Sequence, residues 1–250
     1  MPYSLKDRRV LVTGGSRGLG ALHMPEVCRR RGIPEDNIRI VNETVAKLGG
    51  LDITVANAGW TRFSDFSDLG ALSLEEWDKC WATNTMAHLQ LMQAAGPIFN
   101  ANPEGGVYLI TSSIAGRTQS GSSMAYSVTK AAGLHLMKCI AATQGPKLRI
   151  NAVLPGQLLT EWGLQFTDEE IAQEQSESIL KHETYLDDCA DAYISLAKHT
   201  SMTGQQITVD AGLTISWESR VQQNGVKAAL LGFGVLSPAI GETLFGGSLE

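Results

Sequence analysis

The sequence predicts an α/β domain built on a parallel β-sheet. Three observations predict it: short apolar runs that end in glycine or other turn residues, segments of helical period between them, and the alternation of the two along the chain. A length of 250 residues, 43% hydrophobic and 18% charged, suits one large domain with a sizeable core.

The elements follow in order. Val10-Leu11-Val12 reads as a buried parallel strand entering a glycine turn. Residues 36–48 place Ile38, Val41, Val45 and Leu48 on one helical face, and Gly49-Gly50 stops the helix. Leu51 to Val55 is a strand running into Asn57-Ala58-Gly59. Leu74 to about Ala95 has helical period, with Ser73 as N-cap and Glu76 as its capping-box partner. Gly106 to Thr111 is a strand followed by a polar stretch, Ser112 to Ser123, and Ala125 to Ala142 is a long helix. Arg149 to Leu154 is a strand ending at Pro155-Gly156. Residues 157–186 are polar and irregular, with an acidic helical piece at 168–180. Leu186 to Ala197 is a helix and Gln206 to Val209 a last strand.

Charge and composition remove several classes. The net charge is -6 with no basic stripe, so nucleic acid is not an expected partner. The one basic cluster, Cys28-Arg29-Arg30-Arg31, reads as a solvated helix end. The four cysteines form no CxxC pair and no metal-ligand spacing, which fits reduced thiols and no metal. No apolar run approaches the roughly 18 residues of a membrane span, and the apolar run at Val10 is too short for a signal peptide. A cytoplasmic protein without membrane partners is expected.

Two motifs carry chemistry. Thr13-Gly14-Gly15-Ser16-Arg17-Gly18-Leu19-Gly20 follows a strand and opens a helix. Glycines there let a pyrophosphate approach backbone N–H groups at a helix N-terminus. Such a turn also serves as a plain strand–helix connection. Tyr126 and Lys130, four residues apart, share one helical face, where an ammonium favours phenolate over phenol. A Tyr-xxx-Lys pair also arises by chance in exposed helices. Ser113, thirteen residues before Tyr126, places a hydroxyl at a strand end, able to hydrogen-bond the same substrate oxygen.

The series Thr13 to Gly20, Asn57-Ala58-Gly59, Asn84, Ser113, Tyr126, Lys130 and Pro155-Gly156, in this order, resembles the short-chain dehydrogenase/reductase family over residues 8–215. The resemblance implies a Rossmann-like, doubly wound parallel sheet and hydride transfer between a nicotinamide cofactor and a carbonyl or secondary alcohol. It makes Tyr126 the general acid in reduction and the base in oxidation. Lys130 would lower the Tyr126 pKa and hold the nicotinamide ribose, and Ser113 would polarise the carbonyl. Asn84 would support a water linking Lys130 to solvent. Thr13, Gly14, Ser16, Arg17, Gly18, Leu19 and Gly20 would hold the cofactor together with Asn57, Ala58, Gly59, Pro155 and Gly156. Thr160 stands where the family contacts the carboxamide. Arg17 favours NADP, with NAD the alternative, since a guanidinium suits a 2′-phosphate. Small-molecule partners and a homodimer or homotetramer are expected on the same ground. Trp60, Met124 and Trp162 are candidate apolar liners of the substrate pocket.

Two intervals depart from the pattern. Only 36 residues, Ala21 to Ala56, separate Gly20 from Asn57. A complete nucleotide-binding half at about 30 residues per βαβ unit needs roughly 65–70. The sheet is therefore expected to lack its second and third strands, which leaves the first strand as an edge. Either Ala21 to Asp36 forms an improvised wall and the enzyme binds cofactor weakly, or the chain is a non-catalytic or defective member of the fold. Residues 1–217 are expected to form the domain, incomplete at about 21–36. Residues 218–250 form a C-terminal extension, either draped on the surface or covering the substrate mouth or another subunit.

Overall fold

A computed structural model describes residues 3–15, 19 and 34–216. Within them the chain runs β1 (Val10–Val12), α1 (Pro34–Leu48), β2 (Ile53–Ala56), α2 (Leu74–Trp81), a π-helical turn (Ala82–Met86) and α3 (Ala87–Ala101). It continues through β3 (Gly106–Thr111), α4 (Met124–Thr143), β4 (Leu148–Pro155), α5 (Asp168–Glu177), α6 (Leu186–Lys198) and β5 (Gln206–Val209). The expected strands are all present, with shifts of one or two residues at some ends. The helix expected from Leu74 to Ala95 reaches Ala101 and is interrupted at Ala82–Met86. Ser73 does cap it, in a capping box with Glu76.

The strands form one parallel sheet in the order β1-β2-β3-β4-β5. Its register pairs Val10 with Ile53, Ile53 with Val107, Val107 with Arg149 and Ala152 with Gln206. Sequential order follows from the connections: each crossover helix delivers the next strand beside the last. Alternation along β3 sends Tyr108 and Ile110 to one face, where Val41 of α1, Leu91 and Phe99 of α3 and Met137 of α4 cover them. Val107 and Leu109 face the other side, against Leu196 and Ala197 of α6. The β4-to-β5 crossover thus passes over the opposite face from the three before it and has the opposite hand. Among the described residues β1 pairs only with β2 and stands at the sheet edge. Residues 20–33 and 217–250, which carry the expected gap and the C-terminal extension, lie outside the described residues. No helix among the described residues is long and apolar enough to cross a membrane. No group of metal-ligating side chains occurs among them either.

A three-residue strand needs help to stay in register. Arg9 supplies it by clasping Asp52 at the start of β2. Its backbone N–H donates to Asp52 Oδ2 at 2.9 Å, Nε donates to Oδ2 at 2.7 Å and Nη2 to Oδ1 at 2.9 Å. The Asp52 side chain is only 6% exposed. Side-chain hydrogen bonds from Arg9 are the largest influence and hold the Asp52 carboxyl below its ordinary range. A lowered carboxyl contributes stability that is full above the unfolded value near ~3.9 and is lost as pH falls through the folded value. Asp52→Asn should therefore cost about 2 kcal/mol in urea unfolding at neutral pH. The gap from the unmodified protein should close below about pH 4.

Candidate active site

The carboxyl ends of β1 to β4 open into one cleft of about 1280 Å³. That exceeds the roughly 300–1000 Å³ of a single small-molecule site and leaves room for two molecules side by side. Ligands of open parallel sheets lie at this edge because the loops and helix N-termini gather there.

Three short devices build the inner end. The first is the turn after β1. Gly14 has φ +64°, and a Cβ there would lie 2.9 Å from the Ala58 Cα, so only glycine fits so close to the next loop. Thr13 Oγ1 accepts hydrogen bonds from the N–H groups of Asn57 and Ala58, both at 3.1 Å, and the Asn57 amide donates to Gly14 O at 3.3 Å. The loops after β1 and β2 are thereby fixed to each other.

The second is the π-helical turn. Such a turn carries one residue more than an α-helical one and is frequent at functional sites. It brings Asn84, fully buried, against the loop after β2. Asn84 Oδ1 accepts from Trp60 N at 2.8 Å, and Nδ2 donates to Trp60 O at 2.8 Å. Nδ2 also lies 3.1 Å from Cys80 Sγ and from Thr129 Oγ1. The Asn84 side chain is thus committed to shaping the loop at Trp60.

The third is the start of α4. Ser123 caps the helix by accepting from Tyr126 N. Ser127 Oγ donates to Ala115 O at 2.7 Å and reaches Thr118 O at 3.1 Å, which pins the short 3-10 turn after Ser113 onto α4. Ser113 Oγ accepts from Ala115 N at 3.1 Å and hydrogen-bonds the Tyr126 side chain. Tyr126 and Lys130 share the expected face, with the ammonium 5.4 Å from the centre of the Tyr126 ring.

Lys130 is 3% exposed and donates to Thr111 O at 2.8 Å. Burial pushes its pKa down to about 8. Burial also pushes the Tyr126 phenol up to about 12, against the hydrogen bond from Ser113, which lowers it. Burial sets the direction for the phenol, and the expected lowering by Lys130 is not among the influences on it. The nearby His88 is likewise buried and is pushed down to about 3 by burial and by Lys130, so it is neutral.

Gly14, Leu19, Asn57, Ala58, Gly59, Ser113, Tyr126, Lys130, Pro155, Gly156 and Thr160 all line the cleft, whereas Thr13 and Asn84 support it from behind. Trp60 and Trp162 line it and Met124 does not. Ser16, Arg17, Gly18 and Gly20 lie outside the described residues. Sequence reasoning passed over Thr111 and Tyr193. Besides holding Lys130 by its carbonyl, Thr111 donates from Oγ1 to Asn57 Oδ1 at 3.0 Å and lies 2.6 Å from the Tyr193 hydroxyl. A role played through a carbonyl leaves no mark in residue type, and Tyr193 arrives on α6 from 82 positions away.

The arrangement fits a dinucleotide. Gly59 is open enough that a Cβ there would come within 3.7 Å of Lys130 Nζ, so the loop backbone and the ammonium face the same space. Of the three Lys130 donors the structure assigns one to Thr111, and the cation stands at the cleft wall.

Comparison with known proteins agrees with this geometry. Residues 34–214 match the family model described as enoyl-(acyl carrier protein) reductase. The chain is 33% identical over 252 residues, 84% of this chain and 96% of the relative, to a protein of Rhizobium meliloti (strain 1021) named "Probable galactose dehydrogenase GalD". It is similar to the structure of a 7α-hydroxysteroid dehydrogenase complexed with NADH and 7-oxo glycochenodeoxycholic acid, with 25% identity, TM-score 0.68 and coverage of 74% of this chain and 73% of that one. The fold also matches an NADPH-dependent 3-quinuclidinone reductase from Rhodotorula rubra, with 22% identity, TM-score 0.73 and coverage of 86% and 96%.

Thr13→Val keeps the shape of the side chain and removes the acceptor of two N–H groups. It should cost about 1–3 kcal/mol, read as a lower thermal midpoint.

Proposed function

Because the chain belongs to the short-chain dehydrogenase/reductase family, we propose that it transfers hydride between NADP(H) and a carbonyl or secondary alcohol. The observation that carries the reading is the convergence of Ser113, Tyr126 and Lys130 on one cleft beside the glycine turn. The nicotinamide supplies or accepts the hydride. Gly14, Asn57, Ala58, Gly59, Pro155, Gly156 and Thr160 seat it, together with the turn residues Ser16, Arg17, Gly18 and Gly20. The choice of the phosphorylated cofactor rests on the Arg17 guanidinium.

In this reading Ser113 donates a hydrogen bond to the substrate oxygen and orients it towards Tyr126. The Tyr126 hydroxyl gives its proton to that oxygen as the carbonyl is reduced, and takes it back in oxidation. A phenol held near 12 by burial stays protonated at neutral pH and is ready as an acid. Lys130 receives the nicotinamide ribose and places its charge beside the phenolate left after proton transfer, which is where an ammonium helps most. Thr111 holds that ammonium in place.

A second reading, a protein of this fold with impaired cofactor binding, draws support from the edge position of β1 among the described residues and from the short interval between Gly20 and Asn57.

Tyr126→Phe should reduce kcat by about 10²–10⁴ while leaving cofactor affinity within a few-fold. Reduction should also weaken as pH rises past about 8, where Lys130 loses its proton. Lys130→Met should be slow at every pH and lack that limb. Steady-state rates with NADPH and a panel of ketones across pH check both. A Tyr126→Phe variant as fast as the unmodified protein would remove Tyr126 from the chemistry.

A further inference from the structure

Tyr193 stands on α6, packed against the face of the sheet that carries Val107 and Leu109. Thr111 follows those two in the alternation of β3, so its side chain leaves the strand on the same side. The Tyr193 hydroxyl oxygen and Thr111 Oγ1 lie 2.6 Å apart. That distance alone leaves open which of the two donates.

The neighbouring groups decide it. Gly14 O is a carbonyl oxygen and can only accept, so the Asn57 amide must turn Nδ2 towards it, at 3.3 Å. Asn57 Oδ1, also an acceptor only, then faces Thr111 Oγ1 at 3.0 Å. A threonine hydroxyl has one proton, and Asn57 takes it. Thr111 has none left for Tyr193, so Tyr193 is the donor. Burial raises the Tyr193 phenol above its ordinary value, and the proton is therefore kept at neutral pH. Donation runs one way, from Tyr193 to Thr111 to Asn57 to the Gly14 carbonyl. A hydroxyl is a free rotor, and the Tyr193 proton on its lone pair is what aims the Thr111 proton at Asn57. Gly14, Asn57 and Ala58 at the far end all line the cleft.

We propose that Tyr193 is a positioning residue for the dinucleotide seat: from the opposite face of the sheet its hydroxyl orients Thr111 and Asn57, and so holds the glycine turn against the loop after β2. Naming the occupant as a dinucleotide rests on the oxidoreductase reading above; the ordering of the two loops does not.

Tyr193→Phe removes the donor and keeps the packing of the ring. Hydrogen–deuterium exchange of the full-length, cofactor-free protein reads the two loops through the N–H groups of Asn57 and Ala58, which Thr13 Oγ1 holds. Peptides across residues 55–60 should exchange about threefold faster or more in the variant, while those of α3 stay as they were. The Kd for NADPH, from nicotinamide fluorescence, should rise about three- to tenfold, the size of one neutral hydrogen bond. The kcat at saturating NADPH should stay within about twofold, since the proton donor is untouched. Thr111→Val has the shape of threonine and keeps the carbonyl that meets Lys130. In that background Tyr193→Phe should add nothing to exchange or to Kd. Unchanged exchange at residues 55–60 would overturn the proposal. So would exchange that quickens by one factor throughout the protein, which marks a merely structural role. A Kd for NADPH equal to that of the unmodified protein, or a full effect of Tyr193→Phe without the Thr111 hydroxyl, would overturn it as well. Local loosening in a protein that binds NADPH neither before nor after the change keeps the ordering of the loops and removes the oxidoreductase reading.

Discussion

The hydrogen bond from the buried Lys130 ammonium to the Thr111 carbonyl holds the site together. Burying a charge costs several kcal/mol unless it is well partnered, so this lysine is tolerated only because a strand end meets it. Thr111 in turn reaches Asn57 through its hydroxyl, Asn57 reaches Gly14, and Thr13 holds the backbone of Asn57 and Ala58. One chain of hydrogen bonds thus runs from α4 across the ends of β3, β2 and β1. Tyr193 closes it from the opposite face of the sheet. Stability is given up here for geometry: a charge is buried and two half-buried phenols are held at the edge where ligands gather.

The sheet makes that economy possible. With strands in chain order, each loop at the carboxyl edge lies next to the loop that follows it in sequence. The glycine turn, the Asn57 loop, the Ser113 turn and the Pro155 loop therefore line up without long excursions. Apolar packing on both faces supplies the rigidity, with Phe99, Tyr108 and Met137 buried on one side and Leu109 and Leu196 on the other.

Much of this was legible in the residues. Strands and helices were readable because apolar period and caps are local: Ser73 with Glu76, and Gly49-Gly50 after α1, announce their helix ends directly. The spacing of Tyr126 and Lys130 on one helical face was readable for the same reason. What escaped was long-range or carried by backbone. Thr111 acts through a carbonyl that every residue type possesses, and the Asn84 side chain turned out to bind the backbone of Trp60. The π-helical turn has no periodic signature. The ordering of pKa effects also needed the structure, because the depth of burial, not the nearness of the ammonium, decides the state of the phenol.

The central claim is that a bound dinucleotide lies against Lys130 and the Gly14 turn. Titration of the purified protein with NADPH, followed by nicotinamide fluorescence, tests it most directly. Saturable binding at micromolar concentration, abolished by Gly14→Trp, is the expected result. Absence of binding up to millimolar NADPH, or binding indifferent to Gly14→Trp, would contradict it.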